Sequence, residues 1–318
     1  MKDKILDINW RTNIFERALI LACLISIALY SMLLIGFRSL SIPHKNSEKV
    51  SIDYFHGVEI EARSAFVWDV LAGRSLFEKN ANEALPLASL TKVMTAVTLA
   101  QNSLDDKKIT IELEDLSPEG DSLLKVSSSW NIRSLIDYVL LVSSNDGAHA
   151  LAASMGAIGN LRTVDNREIT RRNFIGSMNR LSQELGLSSM TFKNEHGLDI
   201  GENESGAYGS ARDVALLFEY AIKKYPHVLE ATRYPLLSIR DLSNDFYNAE
   251  NTNEIINSVP SPIASKTGYT KLAGGNLVMA YDAGLGHPIV ISVLGSTQEG
   301  RFSDMLKLIE ASQKYLIQ

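Results

Sequence analysis

The chain has 318 residues, 45% of them hydrophobic and 21% charged, with a formal net charge of −6 and a single cysteine. This is an ordinary globular composition with length enough for a large core. The mild acidity, without a Lys/Arg stripe, argues against nucleic acid as a partner, and the lone Cys23 leaves neither a disulfide framework nor a cysteine zinc site.

From the N-terminus, Ala18 to Phe37 carries no charged residue and is bracketed by Arg17 and Arg38. At about 1.5 Å per residue such a helix spans roughly 30 Å, the hydrocarbon thickness of a bilayer. It is longer than the apolar region of most cleaved signal peptides. An uncleaved single-pass anchor over 18–37 is the expectation, with a cleaved signal peptide as the alternative. Lys2, Lys4, Arg11 and Arg17 precede it and Arg38, Lys45 and Lys49 follow it, a slight bias toward a cytoplasmic segment 1–17. The remainder would then be held at the cell membrane on the extracytoplasmic side. The polar stretch 38–60 lacks periodicity and reads as a tether to a domain over 61–318.

Within that domain, Ala65 to Val70, a turn at Gly73, and Ser75 to Phe77 predict a β-hairpin. Pro86 precedes a helical run with Leu90, Val93, Met94 and Val97 on one stripe. Further helices are expected over Ile132 to Val142, Gly147 to Met155 and Phe174 to Leu185, the last stopping at Gly186. Ser210-Ala211-Arg212-Asp213 opens another, with Asp where a capping box has Glu. Ile263 to Thr267, Asn276 to Tyr281 and Pro288 to Leu294 predict an antiparallel meander, with turns at Gly274-Gly275 and Gly284-Leu285-Gly286. Phe302 to Leu316 closes the chain as an amphipathic helix. Strands at both ends and helices between them give an α+β layout, one antiparallel sheet with a helical subdomain.

Three short motifs carry the chemistry. Ser89-Leu90-Thr91-Lys92 sets a serine and a lysine three apart at a helix start, on one helical face. There a lysine desolvated by its surroundings can serve as base, and the helix dipole favours negative charge at the serine. Ser143-Ser144-Asn145 follows an apolar helix and precedes another. Ser143 can relay a proton to a leaving amine, and Asn145 can orient Lys92 and hold a substrate amide. Lys266-Thr267-Gly268 lies on a predicted strand, where Lys266 and Thr267 can bind a carboxylate. Their side chains alternate on an ideal strand. Either Thr267 sits at a local distortion, or Gly268 lets a substrate lie along the strand edge. Together these are the parts of a serine acyl-transfer site.

No piece is specific alone. Ser122 and Lys125 repeat S-x-x-K, and Ser129-Trp130-Asn131 and Ser177-Met178-Asn179 repeat S-x-N. Ser122 lies in a polar run without a buried stripe, so Ser89 is the expected nucleophile. H-E-x-x-H, G-x-S-x-G and the P-loop pattern do not occur, which argues against a helical zinc protease, an α/β-hydrolase and a nucleotide-binding loop.

The assembled pattern resembles the serine penicillin-binding family of low-molecular-mass D-alanyl-D-alanine carboxypeptidases, the S11 peptidases. The likeness runs through Ser64 to Asp69, Pro86 to Ala96, Ser144-Asn145-Asp146, Glu184 to Leu187, Thr191 to Asn194, Gly197-Leu198-Asp199 and Ser265 to Gly268. It implies a β-lactamase/transpeptidase-like fold and acylation of Ser89 by the penultimate D-alanine of a peptidoglycan stem peptide. Lys92 would be the base, and Ser143 and Asn145 the second wall. Lys266, Thr267, Gly268 and Tyr269 would bind substrate. The same resemblance puts the oxyanion hole at the backbone N–H groups of Ser89 and Tyr269. β-Lactams would be inhibitors, and no metal or cofactor is implied. Ser144 and Gly147 stand where many members have Gly and Ala, and Tyr269 where some have His. Three other readings stay open: an endopeptidase cutting cross-links with the same residues, a class A-like β-lactamase sharing the three motifs, and a non-enzymatic wall-binding or β-lactam-sensing domain. No E-x-x-L-N supplies the deacylating glutamate of the second, and an intact Ser89, Lys92 and Lys266 argue against the third.

Overall fold

The computed structural model describes residues 18, 19, 22, 24–26, 54–101, 107–116, 123–155 and 166–316. The expected segment 1–17 lies outside them. So do most of the expected anchor 18–37 and the tether up to residue 53. The six described positions of the anchor are helical. Among the described residues no helix is long and apolar enough to cross a membrane. Residues 1–52 and 53–318 are separate units, and the second holds every strand among the described residues.

A hairpin, β1 (Ser64–Asp69) and β2 (Arg74–Lys79), opens the domain. Its turn is capped by Asp69, whose carboxylate accepts from the N–H groups of Leu71 and Ala72. A short strand β3 (Leu85–Pro86) leads through a 3₁₀ turn, Ala88–Leu90, into α1 (Thr91–Ala100). The helical region continues with β4 (Lys108–Thr110), β5 (Ser129–Asn131), α2 (Ile132–Val142), α3 (Asn145–Met155) and α4 (Arg167–Glu184). Then come β6 (Thr191–Phe192), β7 (Ala207–Gly209), α5 (Ala211–Lys224) and a ribbon of β8 (Leu236–Arg240) and β9 (Phe246–Glu250). The meander β10 (Pro262–Thr270), β11 (Gly274–Asp282) and β12 (Pro288–Ser296) and the final helix α6 (Gly300–Leu316) complete it.

The main sheet is antiparallel with strand order β10-β11-β12-β1-β2. Both of its faces are covered, and side-chain alternation divides the core in two. Ala65, Val67, Met279 and Ile291 point to one side, where Phe302, Met305 and Leu308 of α6 cover them. Phe66, Val278, Ala280 and Val290 point to the other, toward the helices. At about 1.5–3 kcal/mol for each large apolar side chain buried, both layers contribute strongly to stability. The expected α+β layout, an antiparallel sheet with a helical subdomain, is the one observed.

Local expectations were refined in four places. α1 is buried around its circumference from Thr91 to Leu99, beyond a single stripe. α4 starts at Arg167, seven residues before Phe174, because Asn166 caps it by accepting from the Ile169 N–H. Ser210 caps α5 as expected, but the Asp213 carboxylate accepts from Ser189 instead of closing a capping box. Gly274 and Gly275 lie inside β11, and the turn before them is Lys271 to Ala273.

The tether reading is corrected at its end. Phe55 is buried and stacks on Phe77 with ring centroids 5.5 Å apart. Val58 and Ile60 pack on the same core, and Asp304 of α6 accepts from the Glu61 and Ala62 N–H groups. The folded domain therefore includes Tyr54 to Ile60. The aromatic at position 55 has no periodic neighbours in sequence, so its burial left no pattern to read.

Candidate active site

Ser89 sits in the middle of the 3₁₀ turn that opens α1 and is partly exposed. The turn is held in an unusual shape. Ala88 has φ +49°, a region non-glycine residues occupy at a cost of about 1–3 kcal/mol. Its carbonyl accepts from Thr91 Oγ1 at 2.7 Å. Gly197 packs against that carbonyl so closely that a Cβ there would stand 1.9 Å from the Ala88 oxygen. Upstream, Leu87 N–H donates to the Ala207 carbonyl, tying the turn to β7.

One helical turn on, Lys92 is fully buried. Its Nζ stands 2.9 Å from Ser89 Oγ, 2.7 Å from Asn145 Oδ1 and 2.9 Å from the His196 carbonyl oxygen. Burial brings the amine down to about 7, while the Glu195 charge pulls the other way. The three contacts differ in kind. The amide oxygen and the carbonyl oxygen can only accept, so a neutral Lys92 gives them its two hydrogens. Its lone pair is then left for the third contact, the Ser89 hydroxyl.

Ser143 ends α2 in the left-handed region, φ +62° and ψ 34°, the usual place of a helix-terminating glycine. The corner turns its hydroxyl to Lys266, whose Nζ donates to Ser143 Oγ and to the Thr267 carbonyl, both at 2.9 Å. Asn145 begins α3 immediately after. Lys266 is 2% exposed. Burial first, then the positive charges of Lys92 and Arg301, holds its amine well below the ordinary lysine range.

Lys266, Thr267, Gly268 and Tyr269 lie on β10, the outer strand of the sheet. The β10–β11 ladder runs without a shift from Ala264 to Thr270, so Thr267 sits at no local distortion. Thr267 Oγ1 shares a 2.6 Å hydrogen bond with Thr252 Oγ1. Gly268 faces the nucleophile turn: a Cβ there would meet the Leu87 oxygen at 3.0 Å and the Ser89 nitrogen at 3.1 Å. Glycine lets the strand edge and the serine turn approach this closely, where a Cβ would force them apart by a few tenths of an ångström. Arg301 Nη1 donates to the Gly268 carbonyl from behind, and Tyr269 is half exposed at the rim.

The structure thus brings Ser89, Lys92, Ser143, Asn145, Lys266 and Gly268 to one cleft between β10 and the helices. The other motif copies lie elsewhere. Ser122 is outside the described residues. Lys125 is exposed and paired with Asp245 at 2.7 Å. Asn131 caps α2, and Asn179 brackets Phe192 by accepting from its N–H and donating to its carbonyl.

Sequence reasoning missed Glu195, His196, His149 and Arg171, and named Asp199 without giving it a role. Glu195 is completely buried, with His149 Nδ1 at 3.0 Å from Oε1 and Arg171 Nη1 at 3.1 Å from Oε2. Burial pushes its carboxyl up, but the His149 hydrogen bond and the surrounding positive charge outweigh this and leave it at about 2. Burial also holds the His196 imidazole down at about 4, so it is uncharged at neutral pH, whereas Arg171 carries its charge throughout. Asp199 accepts from Thr270 Oγ1 and the Leu272 N–H, joining this loop to the β10–β11 turn. The partners of Glu195 are 46 and 24 residues away, a spacing that carries no signal in one sequence.

His149, Glu195 and His196 offer ligand atoms within 4.8 Å of one another, which is metal-site spacing. Their bonding does not fit a metal. His196 Nδ1 accepts from the Leu198 N–H, so Nε2, the nitrogen facing Glu195, carries the proton. Both Glu195 oxygens are already engaged.

Comparison with known proteins points to one family. The family model described as Peptidase S11, D-alanyl-D-alanine carboxypeptidase, matches residues 47–298. The chain is 28% identical over 289 residues to D-alanyl-D-alanine carboxypeptidase DacF of Bacillus subtilis, covering 89% of this chain and 70% of that protein. It is 29% identical to DacC of Escherichia coli over 79% of this chain and 60% of that one. A D-alanyl-D-alanine endopeptidase of Haemophilus influenzae is 30% identical over 68% of this chain and 69% of its own length. The chain therefore spans roughly two thirds of these relatives. Among solved structures, a variant of the Streptomyces K15 DD-transpeptidase matches with TM-score 0.70 and 27% identity, over 80% of this chain and 98% of that one. Penicillin-binding protein D2 of Listeria monocytogenes in its cefotaxime-bound form matches with TM-score 0.66 and 29% identity, over 80% and 97%. The penicillin-binding, transpeptidase-like α+β fold and the matched family agree: this chain belongs to the peptidase S11 family, the D-alanyl-D-alanine carboxypeptidases.

Proposed function

We propose that this chain is a serine D,D-carboxypeptidase that removes the terminal D-alanine from peptidoglycan stem peptides through an acyl-enzyme on Ser89. The observation that carries the reading is the bonding of Lys92. Two obligate acceptors take its hydrogens, so its lone pair is aimed at the Ser89 hydroxyl. Its amine, brought down to about 7 by burial, is a base suited to neutral pH.

In the reaction, Ser89 Oγ gives its proton to Lys92 and attacks the carbonyl carbon of the penultimate D-alanine. The oxyanion is met by the N–H groups of Ser89 and Tyr269, at the helix start and the strand edge. Lys92 returns that proton through Ser143, bonded to Lys266, to the departing D-alanine amine as the C–N bond breaks, and so regains its neutral form. Water, deprotonated by the same base, then attacks the acyl carbon and frees Ser89. Lys266 and Thr267 take the terminal carboxylate, and that anion restores the charge that burial disfavours on Lys266. The substrate backbone lies along the edge strand β10, which Gly268 brings close to the Ser89 turn.

β-Lactams acylate the same serine; the cefotaxime-bound relative supports this. The helix expected over 18–37 anchors the chain in the cell membrane with the catalytic domain on the extracytoplasmic side. The uncharged length of that segment supports it. Peptides ending in D-Ala-D-Ala, free or amidated, test the reading. Release of D-alanine from the free acid by wild type, and none by Ser89→Ala, is expected. Cleavage of cross-linked dimers with the free acid left intact would turn the assignment to an endopeptidase.

A further inference from the structure

Glu195 is a buried carboxylate that takes no part in the proposed reaction, yet it is wired to the base from three directions. Its own carbonyl accepts from Thr95 Oγ1 at 2.6 Å, on the helix that carries Lys92. The next carbonyl in the chain, that of His196, is one of the two acceptors that orient Lys92. Its side chain bonds His149, which lies one helical turn after Asn145 on α3 and so on the same face as the other acceptor. The grip is completed by Arg171 of α4, itself held by Glu168 through two bonds of 2.9 and 3.0 Å. Asn194 locks the loop further by accepting from the Gly197 N–H and donating to the Leu198 carbonyl.

Taking a carboxylate fully out of water is costly even when it is paired. A neutral amide could make the same contacts to His149 and Arg171. A charge at this place needs a reason that shape alone does not give. The ionisable groups around this network are Glu195 with His196 from the loop, His149 from α3 and Arg171 from α4 against it, and Lys266 from β10 with Arg301 of α6 behind it. Arg171 and Arg301 are permanently cationic and Lys266 is so when protonated, and a cation nearby disfavours a proton on Lys92. Glu195 is the group whose charge pulls back.

We propose that Glu195, gripped by His149 and Arg171, is a positioning residue for Lys92: it fixes the carbonyl that orients the base and supplies the negative charge against which the base gains and loses its proton. The inference rests on the reading of Lys92 as general base. Glu195 touches neither substrate nor Ser89. Its effect reaches the reaction through the protonation of Lys92, and therefore through pH.

The test is the second-order rate of Ser89 acylation by a fluorescent penicillin, measured against pH on the full chain. Glu195→Gln keeps the shape and removes the charge, so the acid limb of the profile moves to lower pH by about one unit, the size expected of one charge at close range in a protein interior. Arg171→Gln unmasks Glu195 and moves the same limb to higher pH. Opposite displacements establish the role. If Glu195→Gln does not fold alone, it is combined with Arg171→Gln, and the limb of the double variant must lie below that of Arg171→Gln by about one unit, the same one-charge effect. Unmoved limbs in the folded variants, with only a drop in rate or melting temperature, would reduce Glu195 to a structural contact and overturn the proposal. A wild-type chain that no penicillin acylates at any pH would instead overturn the functional reading.

Discussion

Lys266 and Ser143 are 123 residues apart in the chain and meet at 2.9 Å between Nζ and Oγ. One lies on the edge strand of the sheet, the other at the corner between two helices. Their contact closes the cleft at the level of Ser89. It links the residue proposed to bind the substrate carboxylate to the residue proposed to return a proton to the leaving amine.

Lys266→Ala should therefore weaken the handling of a free C-terminus. A charge-assisted, desolvated contact contributes about 1.5–3 kcal/mol. kcat/KM for a peptide ending in D-Ala-D-Ala should fall tenfold or more, on the order expected from that range. The loss on the amidated peptide should be much smaller. Equal losses on both would assign Lys266 to proton transfer or structure alone.

The acylation rate should rise with pH through neutrality. Lys92 has an amine held down to about 7 by burial, and only its neutral form accepts the Ser89 proton. Below that value the lysine is charged and the base is lost; above it the neutral form predominates. Stopped-flow acylation across pH 5.5–9, a range set about the ordinary span of such a tuned base, checks this. A rate independent of pH would remove Lys92 as the base.

Truncation separates the corrected domain start from the expected one. A chain beginning at Asp53 keeps Phe55 against Phe77. One beginning at Glu61 exposes that core and loses about 1.5–3 kcal/mol from the phenylalanine alone. The first should be soluble and penicillin-reactive, and the second should melt several degrees lower, on the scale of about 2–4 °C per kcal/mol for a domain of this size. Equal melting temperatures would return 54–60 to the tether.

A β-lactam should trap the protein rather than be destroyed by it. With a stem peptide, the departing D-alanine vacates the position that water then takes. With a penicillin, the leaving group remains tethered to the acyl-enzyme and blocks that approach. Intact-protein mass spectrometry after a brief pulse should show a persistent adduct on Ser89, lost in Ser89→Ala and unchanged in Ser122→Ala. Rapid return to the unmodified mass with catalytic loss of the drug would point to a β-lactamase.

The chemistry was more legible in the sequence than its support. Ser89, Lys92 and Lys266 sit in short motifs, and a three-residue spacing at a helix start already puts serine and lysine on one face. The meander and α5 were legible because their periodicity and caps are local. Glu195 was not, because its burial depends on α3 and α4 folding over it. Ala88 and Ser143 adopt positive φ without being glycine, which only the packing of Gly197 and Lys266 around them explains. The alternation of Lys266 and Thr267 posed a choice, and the unshifted β10–β11 ladder resolves it against a distortion at Thr267.

The most direct measurement is mass spectrometry of purified muropeptides incubated with the full chain. Pentapeptide monomers should each lose one D-alanine, with wild-type protein only and not with Ser89→Ala, while cross-linked dimers keep their bridges. Pentapeptides left intact by wild type, or trimmed equally by Ser89→Ala, would contradict a D,D-carboxypeptidase acting through Ser89.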